Sequence, residues 1–404
     1  MHILLIHQAF AALDEPGGTR HHELSRYLAT LGCQVTIIAS PVSYLTGDAE
    51  FHEPRTDLFD GGGRVTILRV YTYTALHRSF MHRIFSFLSF MVSSFLKGLR
   101  VKDVDLVWGT SPPIFQGLTA WLLARLKRIP FLFEVRDLWP SFAVQVGVLR
   151  QPLLIRLSEW LESFLYRHAD TVMVNSPGFT PHVKARGAGR VELVPNGTDP
   201  RMFNPALDGA DFRNAHNLRD KFVVLYAGAH GMSNDLGVLL ASARMLNNRE
   251  DIAFVLLGDG KEKSWLIAQA KKFNLSNVLF LPPLPKNHMS HALAGADVCV
   301  AILKPIPLYA TVYPNKVFDY MAAGKPVILA IDGVIHQVVE EAEAGIFVQP
   351  GDPDALVDAV LTLAGDPQKA RKMGQNGRCY VEARFDRAKL AADLASIMEQ
   401  MTHS

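Results

Sequence analysis

The sequence alternates short apolar runs with helical segments along almost its whole length. Runs such as HILLIHQ, QVTIIAS and FLFEV in the first half, and FVVLYAG, DVCVAIL and PVILAI in the second, are rich in Val, Ile and Leu. They lack regular polar alternation, which predicts strands buried on both faces of a parallel sheet. Because helical patterns separate successive strands, we predict an α/β protein of the doubly wound type.

The turn-rich segment PNGTDPRMFNP at 195–205 separates the two halves. Clusters of Pro, Gly, Asn and Asp are typical of connecting segments. We therefore predict two Rossmann-like domains, the first at 1–198 and the second beginning at 199. In open α/β sheets, ligands bind beyond the carboxyl ends of the strands, so we expect the chemistry in a cleft between the domains.

Composition excludes several classes of protein. Apolar residues make up 49% of the 404, which is typical of a globular chain rather than a disordered one. The net charge of +2 leaves no bulk charge for nucleic-acid binding. Cys33, Cys299 and Cys379 are far apart, which excludes a disulfide framework and favours a reduced, cytoplasmic compartment. The N-terminal MHILLIHQAF lacks a basic leader, so we interpret it as a buried strand rather than a signal peptide.

Two glycine-rich turns follow predicted strands. Gly17 and Gly18 precede Arg20 in the first half, and Gly228 and Gly231 enclose the turn GAHG in the second. Glycine lets a ligand approach the backbone closely, and the next helix offers N–H groups to an anion. We interpret both turns as phosphate-binding loops, with a plain flexible turn as the alternative for the first. Neither matches the dinucleotide fingerprint or a Walker loop.

The motif EVRDLWP places charged groups at the end of a buried strand. Glu134, Arg136 and Asp137 would be costly there unless they are paired or used in function. We favour a functional role for Arg136 and Asp137. The alternative is a structural ion pair of Arg136 with Asp137 or with Glu134.

The motif YPNKVFDYMAAGKPV predicts a helix with a ligand at its start. Pro314 precedes a helix that begins at Asn315 or Lys316 and ends at Gly324. Lys316 and the helix N-terminus would both face an anion. Asp319, one turn further on, could accept hydrogen bonds from two sugar hydroxyls.

We predict neither a metal nor another cofactor. The pattern Asp103-Val104-Asp105 resembles a metal-binding motif, but it begins a strand rather than ending one, so we expect a solvated corner. Asp352 before Pro353 and Asp354 is better interpreted as a helix N-cap. The sequence has no His/Cys cluster with metal-ligand spacing.

Residues 64–102 are unusually basic and aromatic. They contain seven Lys and Arg residues, including Arg78, and no acidic residue, with Phe80, Phe85, Phe87, Phe90 and Phe95 among them. The apolar stretch IFSFLSFMVSSFL is too short to span a bilayer. A basic, Phe-rich segment suits an anionic membrane surface, so we expect membrane contact through residues 76–102. A core helix with solvated flanks is the alternative.

The motifs occur in a family order. GGTRHHELSRYLATLGCQVTIIAS, EVRDLWP, VPNGTDPRMF, LYAGAHG, LLGDGKEK, PNKVFDYMAAGKPVI and AGIFVQPGDPDALVDAV follow one another along the chain. Over essentially its whole length the chain resembles glycosyltransferase family 4. EVRDLWP with PNKVFDYMAAGKPV is similar to the subgroup that contains fucosamine transferases of bacterial surface polysaccharide synthesis.

The resemblance implies a fold, a reaction and partners. The fold would be GT-B, in which a nucleotide-sugar domain at 199–385 faces the first domain and a helix at 386–404 returns to that domain. The reaction would be retaining, metal-independent transfer from a nucleotide sugar, for which we expect UDP-sugar. The acceptor would be a polyprenyl-diphosphate-linked sugar or a glycan, reached by a cytoplasmic enzyme on the inner face of the membrane.

The chain departs from the family pattern at several positions. Thr311 replaces the first of two glutamates, and Asp319 replaces the second. Ala229 and Asn234 stand where the family has a phosphate-binding Arg and Lys, and Arg136 stands where it often has a histidine. Lys316 then becomes the main cation for the diphosphate.

The resemblance also suggests roles for single residues. Asp319 would hold the ribose, while Asn315, Lys316 and the Gly228–Gly231 turn would hold the diphosphate. Arg136 or Arg20 would add positive charge from the first domain. Asp137 would orient the acceptor or stabilise positive charge on the sugar.

Two other classes of function stay open at this point. A UDP-sugar 2-epimerase shares the fold and would need no acceptor. A non-catalytic nucleotide-sugar-binding subunit would explain the lost glutamate and the lost Arg/Lys pair.

Overall fold

The computed structural model describes residues 1–43, 47, 49, 53–74 and 80–403. Two compact units make up the chain, and the division between them falls after Pro195 and after Asp386. The predicted boundaries fell after residues 198 and 385. The first unit comprises Met1–Ala12, Gly17–Pro195 and Arg387–Ser404, and the second comprises Leu13–Pro16 and Asn196–Asp386.

The first unit is built on one sheet, whose strands run in the order β3-β4-β2-β1-β5-β6-β7-β8. All neighbouring strands are parallel except β3, which lies antiparallel to β4 at the edge. The central strands are buried along their whole length, as their apolar sequences require. The strands are β1 His2–His7, β2 Gln34–Ala39, β3 Arg55–Leu58, β4 Arg64–Arg69, β5 Leu106–Ser111, β6 Phe131–Val135, β7 Thr171–Val174 and β8 Val191–Leu193.

Helices cover both faces of this sheet. On one face α1 and α15 pack over alternate strand residues such as Ile3 and Leu5. On the other face, α2, α3 and α5 form a layer, in which Gly117 of α3 lies against Phe133 and Leu165. The helices are α1 Arg20–Thr30, α2 Phe80–Arg100, α3 Phe115–Lys127, α4 Ser141–Gln145, α5 Pro152–His168, α6 Thr180–Ala185 and α15 Arg387–Thr402.

The second unit repeats the plan with a wholly parallel sheet in the order β11-β10-β9-β12-β13-β14. Alternate residues of β9 point into two separate apolar layers, Val223 and Leu225 on one side and Val224 and Tyr226 on the other. The strands are β9 Phe222–Ala227, β10 Ile252–Leu257, β11 Val278–Leu281, β12 Val298–Ile302, β13 Val327–Ala330 and β14 Gly345–Phe347. The helices are α7 Ala210–Ala215, α8 Leu236–Met245, α9 Lys263–Lys272, α10 Met289–Ala294, α11 Asn315–Ala322, α12 Val334–Glu341, α13 Pro353–Gly365 and α14 Pro367–Arg384.

The predicted fold class is confirmed: both units are doubly wound α/β domains, and the terminal helix α15 belongs to the first. Arg387 at the start of α15 pairs with Glu23 of α1 at 3.0 Å, with both side chains buried. Asp352 caps α13 by accepting a hydrogen bond from the Ala355 N–H, as its sequence pattern indicates. Within the described residues, no helix is both long and apolar enough to cross a membrane.

The phenylalanines of α2 do not share one exposed face of the helix. Phe85 is 53% exposed, but Phe90 is fully buried and Phe87 stacks on Phe115 with ring centres 5.6 Å apart. The exposed stripe is formed instead by Met81, Phe85, Leu88, Val92, Leu96 and Leu99. Residues 76–79 of the expected membrane segment, including Arg78, lie outside the described residues.

Candidate functional site

The predicted site residues lie at the carboxyl edges of the two sheets. In the first unit, Gly17 and Gly18 lie between β1 and α1, and Arg136 and Asp137 directly follow β6. In the second unit, the Gly228–Gly231 turn follows β9. α11, which carries Asn315, Lys316 and Asp319, follows β12. This edge is where parallel α/β sheets bind ligands.

Arg20 is buried and fully engaged with protein groups. Its guanidinium bonds to Glu134 at 2.9 Å and to the carbonyl oxygens of Val194 and Pro195 at 2.7 Å each. Only 3% of the side chain is exposed. Gly17 and Gly18 themselves are exposed. Contact of Arg20 with a phosphate would require replacing one of these bonds, so its geometry favours a structural role over the predicted loop role.

Glu134 is the buried acid that holds this region together. His21 lies 2.5 Å from its second oxygen, and burial lowers the pKa of His21 to about 4. Burial alone would raise the pKa of Glu134, but its bonds to His21 and Arg20 hold that pKa well below its usual range. Glu134 is therefore an ionised structural acid, and the structure places its ion pair with Arg20 rather than with Arg136.

Arg136 is held at three points in the strand-end loops. Its Nε bonds to the Thr110 hydroxyl at 2.8 Å, and one terminal nitrogen donates to the Pro112 carbonyl and to His7 Nε2 at 3.0 Å each. Burial, followed by the charges of His21 and Arg136, lowers the pKa of His7 well below its usual value, so its ring can accept this bond. The guanidinium is thus positioned while remaining partly exposed.

Asp137 has a carboxyl group in a poorly solvated place. Within the described residues, its Oδ1 is buried and has no hydrogen-bond partner. Burial raises the pKa of Asp137 to about 7, against the opposing charge of Arg136. A carboxyl with this pKa can donate or accept a proton near neutral pH.

Lys316 carries the least compensated positive charge in the second unit's site. Its Nζ lies 2.8 Å from the Tyr226 hydroxyl and 3.9 Å from the centre of that ring. The Tyr226 hydroxyl in turn donates to the Ala229 carbonyl. Among the described residues no carboxylate pairs with Lys316, and burial lowers its pKa to about 7. Such an ammonium is suited to bind an anion.

Gly228 leaves the space that Lys316 occupies. Its φ of +149° is unfavourable for other residues, and a Cβ there would lie 2.7 Å from the Lys316 Nζ. The glycine of the turn therefore has a specific function in the structure, which is to let the ammonium reach the end of β9. Gly231 has a looser environment, with Asn234 Nδ2 3.6 Å from the position of its Cβ.

Asp319 is bonded from two sides. Thr198 donates its hydroxyl to Oδ1 at 2.7 Å, and Lys286 lies 2.5 Å from Oδ2. Both members of the ion pair are largely buried. At the start of the same helix, the buried Oδ1 of Asn315 has no hydrogen-bond partner in the described part of the chain. Thr311, which replaces a family glutamate, donates to the Leu308 carbonyl.

Sequence reasoning missed several residues of this site. Lys286 lies in the loop after β11, where nothing in PPLPKNH distinguishes it. His7 could have been found, because it ends β1 and so had to lie at the carboxyl edge. Tyr226 reads only as an apolar strand residue. No group of three or more His, Cys, Asp or Glu residues able to hold a metal occurs in the described ranges.

Two family models match the chain. Residues 17–197 match the glycosyl transferase 4-like domain, and residues 209–379 match the glycosyl transferases group 1 domain. A D-inositol 3-phosphate glycosyltransferase of Corynebacterium kroppenstedtii is 25% identical over 70% of this chain. The match spans 64% of that relative's own length.

Solved structures match over nearly the whole chain. A sucrose-phosphate synthase from Thermosynechococcus elongatus aligns with a TM-score of 0.79 and 21% identity, covering 99% of this chain and 98% of the other. HepE of Anabaena, solved in complex with UDP-glucose, aligns with a TM-score of 0.73 and 17% identity, covering 99% of this chain and 100% of the other. These similarities establish the fold.

The two parallel-sheet units therefore define a GT-B protein. The chain belongs to the glycosyltransferases of family 4, with a 4-like domain followed by a group 1 domain.

Proposed function

We propose that the protein transfers a sugar from a UDP-sugar and that its second unit binds the donor. The observation that carries this proposal is the ammonium of Lys316, which contacts Tyr226 but no carboxylate within the described residues. It lies beside Gly228 and at the start of α11, whose N-terminal N–H groups also favour an anion. A diphosphate would supply the missing negative charge. HepE, which shares the fold, binds UDP-glucose.

The positive charge of Lys316 would act on the leaving group of the reaction. In transfer, the bond between the anomeric carbon and the β-phosphate oxygen breaks, and negative charge grows on the departing UDP. A preorganised ammonium and backbone N–H groups stabilise that charge without rearrangement. We propose that Lys316, Asn315 and the Gly228–Gly231 turn meet this need without a metal. The acceptor oxygen bonds to the anomeric carbon on the face that UDP leaves, and its hydroxyl proton passes to the departing β-phosphate oxygen, so that configuration is retained.

Asp319 would hold the ribose hydroxyls. The contacts from Lys286 and Thr198 orient its carboxylate on α11. A fixed carboxylate can accept hydrogen bonds from two neighbouring hydroxyls. Lys286 therefore supports donor binding through Asp319.

We assign the acceptor to the first unit. Arg136, held by Thr110, Pro112 and His7, would bind a phosphate of the acceptor. The Asp137 carboxyl, whose pKa burial raises to about 7, would bond to the acceptor hydroxyl or stabilise positive charge on the sugar.

A lipid-linked acceptor fits the surface of α2. Its exposed apolar stripe faces solvent, and the helix carries Arg83, Lys97 and Arg100 without a single acidic residue. Such a helix binds the interface of an anionic bilayer. We therefore propose a peripheral enzyme on the inner face of the cell membrane that glycosylates a polyprenyl-diphosphate-linked sugar in surface polysaccharide synthesis, as the subgroup resemblance implies.

Transfer assays test this proposal. Purified protein is incubated with radiolabelled UDP-sugars and lipid-linked acceptors, with Lys316→Met and Asp319→Ala as inactive variants and the exposed Lys272→Met as control. Transfer by the wild type and Lys272→Met alone supports the assignment. Wild-type turnover by Lys316→Met would contradict it.

The loss of the family glutamate at Thr311 favours a second candidate, a non-catalytic nucleotide-sugar-binding subunit. That candidate predicts UDP binding without transfer to any acceptor. An epimerase instead predicts a changed sugar when the donor is supplied alone.

A further inference from the structure

A second apolar stripe lies on α5 in the first unit. Leu153, Leu157 and Trp160 are spaced four and three residues apart, so they share one face of the helix. Their exposed fractions are 68%, 54% and 63%. An exposed tryptophan with two leucines on one helix face is more than the scattered apolar exposure of an ordinary surface.

This stripe belongs to the same helical layer as the stripe of α2. The helix α3 lies between them and contacts both. Phe87 of α2 stacks on Phe115 of α3, and Trp121 of α3 meets Phe164 of α5 edge-on at 4.8 Å. Since one sheet supports all three helices, their outer faces point to the same side. α3 contributes exposed Leu122 and Leu126 between the two stripes.

The outer face of this helical layer is basic, which favours an anionic lipid surface over a second copy of the chain as its partner. α2, α3 and the α5 segment 152–158 contain no acidic residue. The two acids that follow in α5, Glu159 and Glu162, both pair with Arg186. The exposed cations here include Arg100, Arg125, Arg128 and Arg156. A second copy of the same chain would bring these cations against one another, whereas an anionic lipid surface neutralises them. Tryptophan is enriched at the boundary between headgroups and acyl chains.

We propose that Leu153, Leu157 and Trp160 of α5 insert into the surface of an anionic bilayer together with the α2 stripe, so that the protein binds the membrane through a layer of helices. This inference rests on the proposed membrane-bound function and adds a second contact to it. α5 begins after the segment that carries Arg136 and Asp137, and the same segment contains exposed Val144 of α4 and exposed Val148. A contact through α5 therefore holds the proposed acceptor residues near the lipid headgroups.

Vesicle sedimentation tests the two stripes separately. The α5 variant is Leu153→Ser/Leu157→Ser/Trp160→Ser, and the α2 variant is Phe85→Ser/Val92→Ser. The matched control is Met245→Ser/Trp265→Ser, which removes a tryptophan that is 52% exposed from the second unit. Each is measured on phosphatidylcholine vesicles with and without phosphatidylglycerol, and thermal unfolding verifies that each variant is folded.

We expect the α5 and α2 variants each to bind anionic vesicles at least about tenfold more weakly than the wild type, while the control binds normally. In addition, wild-type tryptophan emission should shift to the blue on anionic vesicles, and Trp160→Phe should lose that shift. Because Trp160→Phe keeps an aromatic ring against Phe164, this measurement tests the contact even if the triple variant fails to fold.

Three results would overturn the inference. If the α2 variant loses binding while the α5 variant keeps it, α5 is no membrane contact and the proposed function stands. If the wild type does not sediment with anionic vesicles, the α5 contact and the proposed membrane-bound function both fail. If the α5 variant changes only the concentration dependence of a dimer, the stripe binds a second copy instead.

Discussion

Two cations lie near glycine turns at the carboxyl edges of the two sheets, and they are held in opposite ways. Arg20 bonds to Glu134 and to two carbonyl oxygens, so its charge is used inside the first unit. Lys316 meets a tyrosine hydroxyl and ring, and among the described residues no carboxylate pairs with it. A glycine turn followed by a cation therefore does not by itself identify an anion site. The groups that contact the cation show whether its charge is already paired within the protein or is available to an anion.

The largest effect should come from removing the paired cation. Arg20→Met removes the arginine paired with the buried Glu134, and breaking a buried ion pair in this way costs about 3–5 kcal/mol. Urea unfolding of the variant should show this loss in the free energy of unfolding, whereas Lys316→Met should show no loss. A loss below about 1 kcal/mol for Arg20→Met would remove the contrast between the two cations.

The same contrast recurs between the two acids of EVRDLWP. Glu134 is paired, whereas burial raises the pKa of Asp137 to about 7, above the unfolded value of about 4. The folded state then binds the proton more tightly, so the stability that Asp137 contributes is present below about pH 4 and is lost as the pH rises to about 7. We expect a slope of at most about 1.4 kcal/mol per pH unit in this window. Unfolding of Asp137→Asn should lack the slope, and an unchanged slope would show that another group titrates.

The pH dependence of UDP binding sharpens the assignment of Lys316. Burial lowers its pKa to about 7 in the empty protein, and a bound diphosphate would raise that pKa because it favours the charged form. Binding above about pH 7 must therefore take up a proton, and the affinity should fall by up to about tenfold per pH unit. Calorimetry in buffers of different ionisation enthalpy measures this uptake. Equal uptake by Lys316→Met would assign the proton to another group.

A smaller effect should follow from filling the space beside Lys316. In Gly228→Ala the new Cβ would lie 2.7 Å from the ammonium at an unfavourable φ. The flexible lysine end can move aside, so we expect a loss of about 1 kcal/mol in both stability and UDP affinity. Gly231→Ala, where the nearest atom is 3.6 Å away, is the matched control. Equal effects of the two alanines would mean that Gly228 has no particular role in seating Lys316.

The sequence carries most of the fold because burial sets the apolar pattern. Strands such as β10 and β12 are buried at every position, and their unbroken apolar runs are visible in the sequence. The edge strand β3, RTDL, is largely exposed and gives no such signal. α2 is apolar on both faces, so its sequence does not show that Phe90 is buried and Phe85 is exposed.

Less of the site can be predicted from the sequence, because residues that pair in the site are far apart along the chain. The ends of strands and the start of α11 locate Arg136, Asp137 and Lys316 at the carboxyl edges. The pairing of Arg20 with Glu134, however, joins residues 114 positions apart. Contacts of this kind depend on tertiary packing, and they decide whether a charged residue is structural or is available to a ligand.

The most direct test of the account is the binding of UDP to the wild type and to Lys316→Met, measured by titration calorimetry near pH 7. Removing a charged hydrogen-bond donor from the diphosphate should cost about 1.5–3 kcal/mol, which is roughly a 10- to 150-fold loss of affinity. Lys272→Met should bind as the wild type does. Wild-type affinity in a folded Lys316→Met protein would contradict the assignment of Lys316 as the cation that holds the donor.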